Sequence, residues 1–356
     1  MQAKIQTSNF RLQRSPSRRR LEVCYLKILC ILSAIWSCSA TAQPFNLPTA
    51  NHALFEKNGG DRFFVGTTGK PWESGCFGCV RSDGWQMHEG LDIKCLQRDK
   101  HGEPTDPVMA TADGTVAYFS NHPELSNYGR YVVVRHSIDG VEVYSLYAHL
   151  SAIRDGLKIG QAIHTGEQIA VMGRTSNTRE RITKERAHVH FELNLLYSDN
   201  YSGWHKKNLP GQHNDHGEWN GQNLVGMDPK LVLEAERQQG TKFNLAQWIQ
   251  TRPELFRVLV RKTDFPWLRR YHALVVERNL DKKSIAGYEI AFDYNGLPFQ
   301  LIPHTAAEIK GGSKYQLVSV NAAEYAKNPC RKLVRQRGKR WELTSKGTSL
   351  LDLLMF

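Results

Sequence analysis

Short apolar or β-branched runs, separated by turn residues, dominate the chain from about residue 80 to residue 229. One run covers residues 115–119 after the turn Asp113-Gly114, and another covers 131–136 and leads through Asp139-Gly140 into 141–148. Runs of this length bounded by Gly and Asp are typical of antiparallel strands. Many short strands with few helical periods predict a mainly β fold, an antiparallel sheet resembling an open barrel or a sandwich.

The pattern changes after His190. Residues 197–226 are rich in Gly, Asn, His and Trp and show no clear periodicity, and so long a loop in a compact domain is usually functional or disordered. Its aromatic content argues against disorder, so we interpret it as the wall of a groove. Asp228 and Pro229 then supply the cap and the first turn of a helix predicted over 230–239.

The charge changes sign near residue 240. Residues 43–239 contain 20 Lys and Arg against 24 Asp and Glu, whereas residues 240–356 contain 20 against 10. We therefore predict a domain over 80–239 and a smaller basic α+β C-terminal domain over 240–356. In the latter we expect a helix at 245–249, strands at 256–260 and 273–277, and a turn at 294–296.

The N-terminal segment has the features of an export signal. Residues 1–42 carry seven Lys and Arg against one acidic residue, and the basic run ends at 18–20, before an apolar segment at 24–36 and Ala40-Thr41-Ala42. This order predicts a cleaved signal peptide over 1–42 and export to the periplasm or the exterior. An uncleaved signal anchor and a later start codon are the alternatives. Residues 43–79 are then an irregular lead-in, and no later stretch reaches the ~20 apolar residues of a membrane span.

Four of the seven cysteines follow the signal: Cys76, Cys79, Cys95 and Cys330. In an oxidising compartment they predict two disulfides, for which three connectivities exist. We expect one cysteine of the Cys76/Cys79 pair to be bridged to Cys95. Half of a zinc knuckle or a redox motif is disfavoured, because the chain has no second Cys-x-x-Cys and no surrounding βαβ pattern.

Candidate metal chemistry lies in two segments. His88 and Asp92 are four residues apart, but Gly90 between them and the turn-rich sequence before them favour a strand or loop over a helix. Imidazole and carboxylate donors together suit Zn²⁺. In the second segment, residues 188–192, alternation places His188, His190 and Glu192 on one strand face, which is costly to bury unless it binds something.

These segments resemble the lysostaphin-type, or LytM-like, zinc endopeptidases that cut peptidoglycan peptides. The resemblance covers roughly residues 80–230 and rests on His-x-x-x-Asp at 88–92, His-x-His at 188–190 and Tyr-Ala-His-Leu at 147–150. It implies that His88, Asp92 and His190 bind one Zn²⁺ and leave a fourth position for water. It also implies that His149 and His188 are catalytic histidines beside that water.

The implied roles agree with zinc chemistry. Three protein ligands and an open position are the pattern of a catalytic site, and the chain has no His-Glu-x-x-His motif to supply a glutamate base. A histidine must therefore accept the proton or stabilise the oxyanion, and an ordinary imidazole pKa near 6.5 suits either task. We assign His188 as the base and His149 as the residue that stabilises the tetrahedral intermediate. Glu192 is expected to support a ligand or to point outward.

Other readings concern individual residues. A structural zinc site is disfavoured because such sites usually have four protein ligands rich in cysteine. His149 by itself could be a satisfied core histidine, and Tyr147 could pack or hold substrate. Among His205, His213 and His216, solvated loop histidines are more common than a second metal site. Groove loops at 123–129, 174–186 and 204–219 are expected to decide which bond is cut.

Together with the predicted export signal, the resemblance implies an exported zinc metalloendopeptidase that hydrolyses peptide bonds in peptidoglycan stems or cross-links. A non-enzymatic cell-wall regulator of the same fold is disfavoured because the expected ligand positions are all filled. An envelope-binding protein is suggested by the basic residues of the C-terminal domain, which would attract an anionic envelope polymer rather than nucleic acid because export is predicted. These residues are Arg331, Lys332, Arg335, Arg337, Lys339 and Arg340. A solvated basic face without a partner is the alternative explanation.

Overall fold

The computed structural model describes residues 44–356, which are mainly β, so the predicted signal peptide lies outside the described residues. The strands are β1 Gly78–Arg81, β2 Gln86–His88, β3 Leu91–Lys94, β4 Pro107–Met109, β5 Gly114–Ser120, β6 Tyr131–Ile138, β7 Val141–Ala148, β8 Ala152–Ile153, β9 Ala162–Ile163, β10 Gln168–Val171, β11 His188–Leu196, β12 Leu224–Met227, β13 Phe256–Val260, β14 Ile285–Phe292, β15 Pro298–Thr305, β16 Tyr315–Val320, β17 Val334–Arg337 and β18 Arg340–Leu343. The α-helices are α1 Gly60–Phe63, α2 Tyr201–Asn208, α3 Pro229–Gln239, α4 Leu245–Gln250, α5 Pro266–Arg270, α6 Ala322–Lys327 and α7 Ser345–Leu354. Within this range, no helix has the length and apolar character needed to cross a membrane.

A seven-stranded antiparallel sheet carries the site. Its strand order is β12-β11-β7-β6-β5-β9, and β3 also pairs with β11. All nine residues of β11 are buried, because the strand has β7 on one side and both β3 and β12 on the other. The predicted fold class is confirmed: the described residues form antiparallel sheets without a closed barrel.

Alternation along the strands gives the sheet two different faces. On β11, Val189 and Phe191 point into the main apolar core. On β6, Tyr131 and Val133 belong instead to a smaller apolar cluster on the opposite face, which is covered by Trp219 of the long loop. His188, His190 and Glu192 share this second face, because side chains alternate with a period of two.

The C-terminal region forms a four-stranded antiparallel sheet of order β15-β14-β13-β16 and the hairpin β17-β18. The helices predicted at 230–239 and 245–249 are present as α3 and α4, and the side chain of Asp228 caps α3 by accepting a hydrogen bond from the backbone of Lys230 at 2.9 Å. The strand predicted at 273–277 is wrong. A 3₁₀ turn covers His272–Leu274, because Tyr271 and Leu274 lie three residues apart and are both buried in the core.

One apolar cluster spans most of the described chain. It contains Phe45 and Phe63 of the lead-in, Val189 of β11, and Trp267 and Leu354 of the C-terminal region. Residues of the lead-in are thus integrated into the core, although between residue 44 and the start of β1 they form only short 3₁₀ segments and the one-turn helix α1. The boundary near residue 240 stays a prediction.

The disulfide expectation was wrong. Cys79 is bonded to Cys330, with the two Cα atoms 5.5 Å apart, whereas Cys76 and Cys95 are free. Cys95 follows β3 and is buried among apolar residues, while Cys79 lies on β1, where the segment containing Cys330 passes. The backbone N–H of Cys330 also points at the Cys79 Sγ, at 3.3 Å. One disulfide therefore replaces the two that were expected within the described chain.

Candidate active site

The strand register brings the predicted ligands together. His190 on β11 is directly opposite Asp92 on β3 and, on its other side, opposite Ala148 at the end of β7. His149 follows Ala148 and therefore lies beside the same point of the sheet. His88 is the last residue of β2, three residues before β3 begins. All five predicted site residues thus meet at one end of β11.

Gly90 permits the tight connection between β2 and β3. A Cβ at this position would overlap the backbone oxygen of Phe191 and lie 2.9 Å from Glu192 Cγ. A side chain here would push the His88 segment away from β11. The glycine in the His-x-x-x-Asp motif is therefore required by the close approach of the two backbones.

The ligand atoms of His88, Asp92 and His190 face one another. His88 Nε2 lies 3.1 Å from Asp92 Oδ1 and 3.1 Å from His190 Nδ1, and His190 Nδ1 lies 3.0 Å from Asp92 Oδ1. Bonds of ~2.0–2.1 Å to a tetrahedral Zn²⁺ would place such atoms about 3.4 Å apart. The three atoms thus have nearly the spacing of three corners of a zinc site, and the three residues are all buried.

The other ring nitrogens have partners that fix the orientation of both histidines. His88 Nδ1 donates to the backbone oxygen of Cys76 at 2.7 Å. His190 Nε2 donates to Glu192 Oε1 at 2.7 Å. In the neutral rings, the lone pairs therefore lie on His88 Nε2 and His190 Nδ1, the two atoms that face Asp92. This donor set fits Zn²⁺.

His149 and His188 are oriented in a similar way. His149 Nδ1 donates to the backbone oxygen of Thr175 at 2.9 Å, and His188 Nδ1 donates to that of Arg186 at 2.6 Å. Their ring centres are 4.9 Å apart, and His188 Nε2 is 3.4 Å from Asp92 Oδ1. Each ring therefore keeps Nε2 as its lone-pair atom. His149 also has a φ of +62°, a strained value for a residue with a side chain.

The electrostatics of the cluster favour a positive charge at its centre. Burial acts to raise the pKa of Asp92, but His188 and His88 hold that pKa well below its usual range. Burial acts to lower the pKa of His190, yet hydrogen bonds to Asp92 and Glu192 raise it to about 10. Burial lowers the pKa of His88 and that of His149. The two carboxylates thus attract a proton or a metal cation to this position.

Glu192 is the centre of a buried network. Its Oε1 accepts hydrogen bonds from His190 Nε2 and, at 2.8 Å, from the hydroxyl of Tyr128, while its Oε2 accepts one from Asn194 Nδ2 at 2.7 Å. The side chain is 1% exposed, so it does not point outward. Alternation identified its face, but the sequence contains no signal that connects Tyr128 to it.

Arg81 is a further site residue that sequence reasoning missed. Its Nη2 donates to Asp92 Oδ2 at 2.6 Å, which leaves Oδ1 free to face the histidines. Arg81 lies at the end of β1, and the β1-β2 pairing places it opposite Gln86, two residues before His88. The turn Ser82-Asp83-Gly84 between two short strands was the only available indication of this hairpin.

The cluster lies in an open groove with a volume of about 760 Å³. All three predicted loop segments contribute: the first through Leu125–Tyr128, the second through several residues between Ser176 and Arg186, and the third through His216. The wall continues beyond the third segment through residues 220–222. Trp204 instead lines a separate cavity of about 450 Å³ that contains none of the predicted site residues.

The remaining histidines do not form a second metal site among residues 44–356. His213 is exposed, as expected, but the expectation of solvated rings was wrong for His205 and His216, which are 5% and 7% exposed. His216 packs against Tyr131 and has its Nδ1 3.1 Å from the hydroxyl of Tyr118. Tyr147 is buried and accepts a hydrogen bond from the backbone of Thr111, so it packs in the core.

Residues 86–202 match the sequence profile of Peptidase family M23. The matched segment contains the three proposed ligands and both proposed catalytic histidines, which confirms the resemblance predicted from these motifs. No curated protein matches the chain.

Several solved structures are similar to parts of the chain. A zinc-containing peptidase from Vibrio cholerae is 30% identical over 30% of this chain and 26% of its own, with a TM-score of 0.22. The catalytic domain of the antimicrobial peptidase lysostaphin from Staphylococcus simulans is 24% identical over 33% of this chain and 74% of its own, with a TM-score of 0.24. The catalytic domain of the prophage-encoded M23 protein EnpA from Enterococcus faecalis is 22% identical over 30% and 68%, with a TM-score of 0.23. This chain spans about a quarter of the length of the Vibrio cholerae peptidase.

Proposed function

We propose that this chain, of which residues 86–202 match peptidase family M23, is an exported zinc metalloendopeptidase that hydrolyses peptide bonds in peptidoglycan stems or cross-links. One observation carries the proposal. The lone-pair atoms of His88, Asp92 and His190 lie 3.0 to 3.1 Å from one another at the floor of an open groove, next to two further histidines.

His88 Nε2, Asp92 Oδ1 and His190 Nδ1 would hold the metal, and Glu192 and the backbone oxygen of Cys76 would orient the two imidazoles. A bound Zn²⁺ supplies a lowered pKa of about 7 for a coordinated water and polarises a carbonyl group. Because three protein ligands leave one position open, this arrangement supports a catalytic rather than a structural role.

The two further histidines, His188 and His149, have different roles in proton transfer. His188 accepts a proton at Nε2, because its Nδ1–H is held by the backbone oxygen of Arg186. His149 can stabilise an anionic oxygen only when its own Nε2 carries a proton. Burial disfavours that cation in the resting site, whereas negative charge developing during attack favours it.

The groove suits an extended peptide. It is open to solvent, and amide side chains line it at Asn127, Asn177 and Gln222. Side-chain amides both donate and accept hydrogen bonds and can therefore pair with the backbone of a substrate peptide. Export is supported by the signal-like N-terminal sequence and by the Cys79–Cys330 disulfide, since such bonds persist in oxidising compartments.

The test is digestion of defined peptidoglycan by the purified, zinc-loaded protein, with mass analysis of the fragments and quantification of new amino groups. A His190→Ala variant is the matched control. We expect new amino groups only with the wild-type protein. Zinc-saturated protein that releases none from peptidoglycan or from cross-linked peptides would refute the proposal.

Binding of an anionic envelope polymer is a second candidate function for the C-terminal region. The β17-β18 hairpin presents Arg335, Arg337, Lys339 and Arg340 on exposed positions. A clustered positive surface attracts a polyanion, and the affinity falls as salt screens the charges. Affinity for an anionic polymer, measured across salt concentrations with wild-type protein and an Arg337→Gln, Lys339→Gln double variant, tests this role.

A further inference from the structure

The wall of the active-site groove includes two residues from the C-terminal region, Asn295 and Arg331. Neither belongs to the motifs that identify the peptidase segment. The residue before Arg331 is Cys330, which is bonded to Cys79 on β1, and β1 pairs with β2 so that Gly78 is opposite His88. One covalent bridge and one strand pairing therefore connect Arg331 to the ligand cluster.

One hydrogen bond fixes the direction of the Arg331 side chain. Its Nε donates to the backbone oxygen of Asn295 at 3.2 Å. Its Nη1 lies 3.9 Å from Glu89 Oε1, which is too long for a hydrogen bond. The side chain is 29% exposed in the groove, and Lys332 has a φ of +54°, so the chain turns away directly after Arg331.

The other arginines of the groove wall are engaged. Arg81 donates to Asp92. Arg186 donates to the backbone oxygen of Gly66 at 2.9 Å and to the hydroxyl of Thr68 at 3.1 Å. Within residues 44–356, Arg331 donates a side-chain hydrogen bond only from Nε, although the Tyr197 hydroxyl lies beside its guanidinium. The two Nη groups form a planar fork that matches a carboxylate.

Asn295 is held in the wall beside this fork, because its Nδ2 donates to the backbone oxygen of Gly226 at 2.8 Å and its backbone oxygen accepts from Arg331 Nε. Its Oδ1 is buried and does not face the groove. Glu89 lines the same wall. A guanidinium next to the exposed carboxylate of Glu89 is complementary to a ligand that carries a carboxylate and, close to it, an ammonium or amide N–H group.

We propose that Arg331 is a specificity-determining residue that binds a free carboxylate of the substrate peptide, with Glu89 accepting from a neighbouring N–H group. The inference rests on the proposed peptidase function and specifies its substrate: a peptide with a free carboxylate near the scissile bond. The C-terminal region therefore contributes directly to substrate choice.

The experiment compares two cross-linked peptides that differ in one group, a free carboxylate or its primary amide. The proteins are the zinc-loaded wild type, Arg331→Gln, Arg331→Lys and the control Arg269→Gln, which changes an exposed arginine of α5. We expect the wild type to prefer the free carboxylate. Arg331→Gln should raise KM for that peptide about 10- to 100-fold, the range of a hydrogen-bonded charge, and should leave kcat and the amide peptide nearly unchanged. Arg331→Lys should be intermediate, because it keeps the charge and loses the fork.

Titration calorimetry of both peptides against the zinc-free proteins separates this inference from the peptidase proposal. Carboxylate-dependent binding that is lost in Arg331→Gln supports the inference even where hydrolysis is absent. If Arg331→Gln hydrolyses both peptides with equal losses of activity, or with no loss, the inference about Arg331 is overturned. The peptidase proposal stays intact in that case. Thermal unfolding of each variant identifies a loss that comes from misfolding.

Discussion

Glu192 Oε1 accepts a hydrogen bond from His190 Nε2 at 2.7 Å, and the two side chains leave the same face of β11. This bond leaves His190 Nδ1 as the atom that faces Asp92. The carboxylate therefore determines which ring nitrogen can act as a ligand.

Replacing Glu192 by Gln should weaken zinc binding about 10- to 100-fold, the usual cost of losing a partner that orients a metal-bound histidine. The glutamine side chain is uncharged, and its NH₂ group can occupy the position of the Glu192 oxygen that now accepts from His190 Nε2. Competition with a chromophoric chelator measures the affinity. Glu234→Gln, which changes a partly exposed residue of α3, is the control and should bind zinc as the wild type does. Equal affinities in all three proteins would contradict the proposed role of Glu192.

Ligand and catalytic histidines should separate in a two-readout experiment. His88→Ala should lose zinc and hydrolysis together, because it removes one of three ligands. His149→Ala should keep one zinc per chain and lower kcat about 10²- to 10⁴-fold, the range for a group that handles protons. Metal content by elemental analysis and release of amino groups are measured on the same samples. Loss of zinc from His149→Ala would move that residue into the ligand set.

Gly90→Ala should destabilise the protein, because a Cβ there would overlap the backbone oxygen of Phe191. We expect the free energy of unfolding to fall by about 1–3 kcal/mol, the usual range for overpacking, and zinc affinity to fall as His88 moves away from β11. Denaturant unfolding gives the first quantity. Gly312→Ala is the matched control, since no atom lies within 4 Å of its added Cβ. If Gly90→Ala is as stable as Gly312→Ala, the connection between β2 and β3 can move without loss of stability, and the expected overlap is contradicted.

Removal of the Cys79–Cys330 bond should lower the free energy of unfolding by about 2–5 kcal/mol, because the bond closes a very long loop and restricts the unfolded chain. Denaturant unfolding of Cys330→Ser, with and without reductant, measures the change. The free energy of unfolding of Cys330→Ser should be the same with and without reductant. That of the reduced wild type should fall close to the value of the variant. If complete reduction does not change the unfolding midpoint of the wild type, the stabilising role of the disulfide is contradicted.

His136 should make stability fall in mild acid. It is buried on β6, with its ring nitrogens beside the backbone oxygen of Asp113 and the hydroxyl of Ser145, and burial lowers its pKa to about 4. The unfolded chain, with a histidine pKa near 6.5, binds the proton more readily. The contribution of the neutral His136 to the free energy of unfolding is therefore complete above pH 6.5 and is lost as the pH falls from 6.5 to 4.

The loss from His136 amounts to about 3 kcal/mol across that interval. It is measured as the difference in unfolding free energy between wild type and His136→Gln at each pH. The variant should have a shallower slope between pH 6.5 and 4. His164→Gln, which changes an exposed histidine, should keep the wild-type slope. Parallel slopes in His136→Gln and the wild type would show that this ring does not titrate on unfolding.

Local patterns predicted the features that depend on neighbouring residues. Alternation placed His188, His190 and Glu192 on one strand face, and the cap at Asp228 marked the start of α3, because both are properties of a few consecutive residues. The motifs also identified five candidate site residues in three segments, and the structure places these residues next to one another.

Features that depend on distant segments escaped prediction. Arg81, Tyr128, Asn295 and Arg331 reach the site through pairings and turns that no short pattern records. The burial of His216 follows from its packing against Tyr131 on another strand. The disulfide partner of Cys79 could not be identified because it lies 251 residues later in the chain.

The distance between Cys79 and Cys330 also sets the order in which the groove can be completed. The second sulfur exists only after residue 330 has been synthesised, so a product that ends before it would contain all three proposed zinc ligands but lack Arg331 in the wall of the groove. The proposed ligands are therefore synthesised long before this part of the wall.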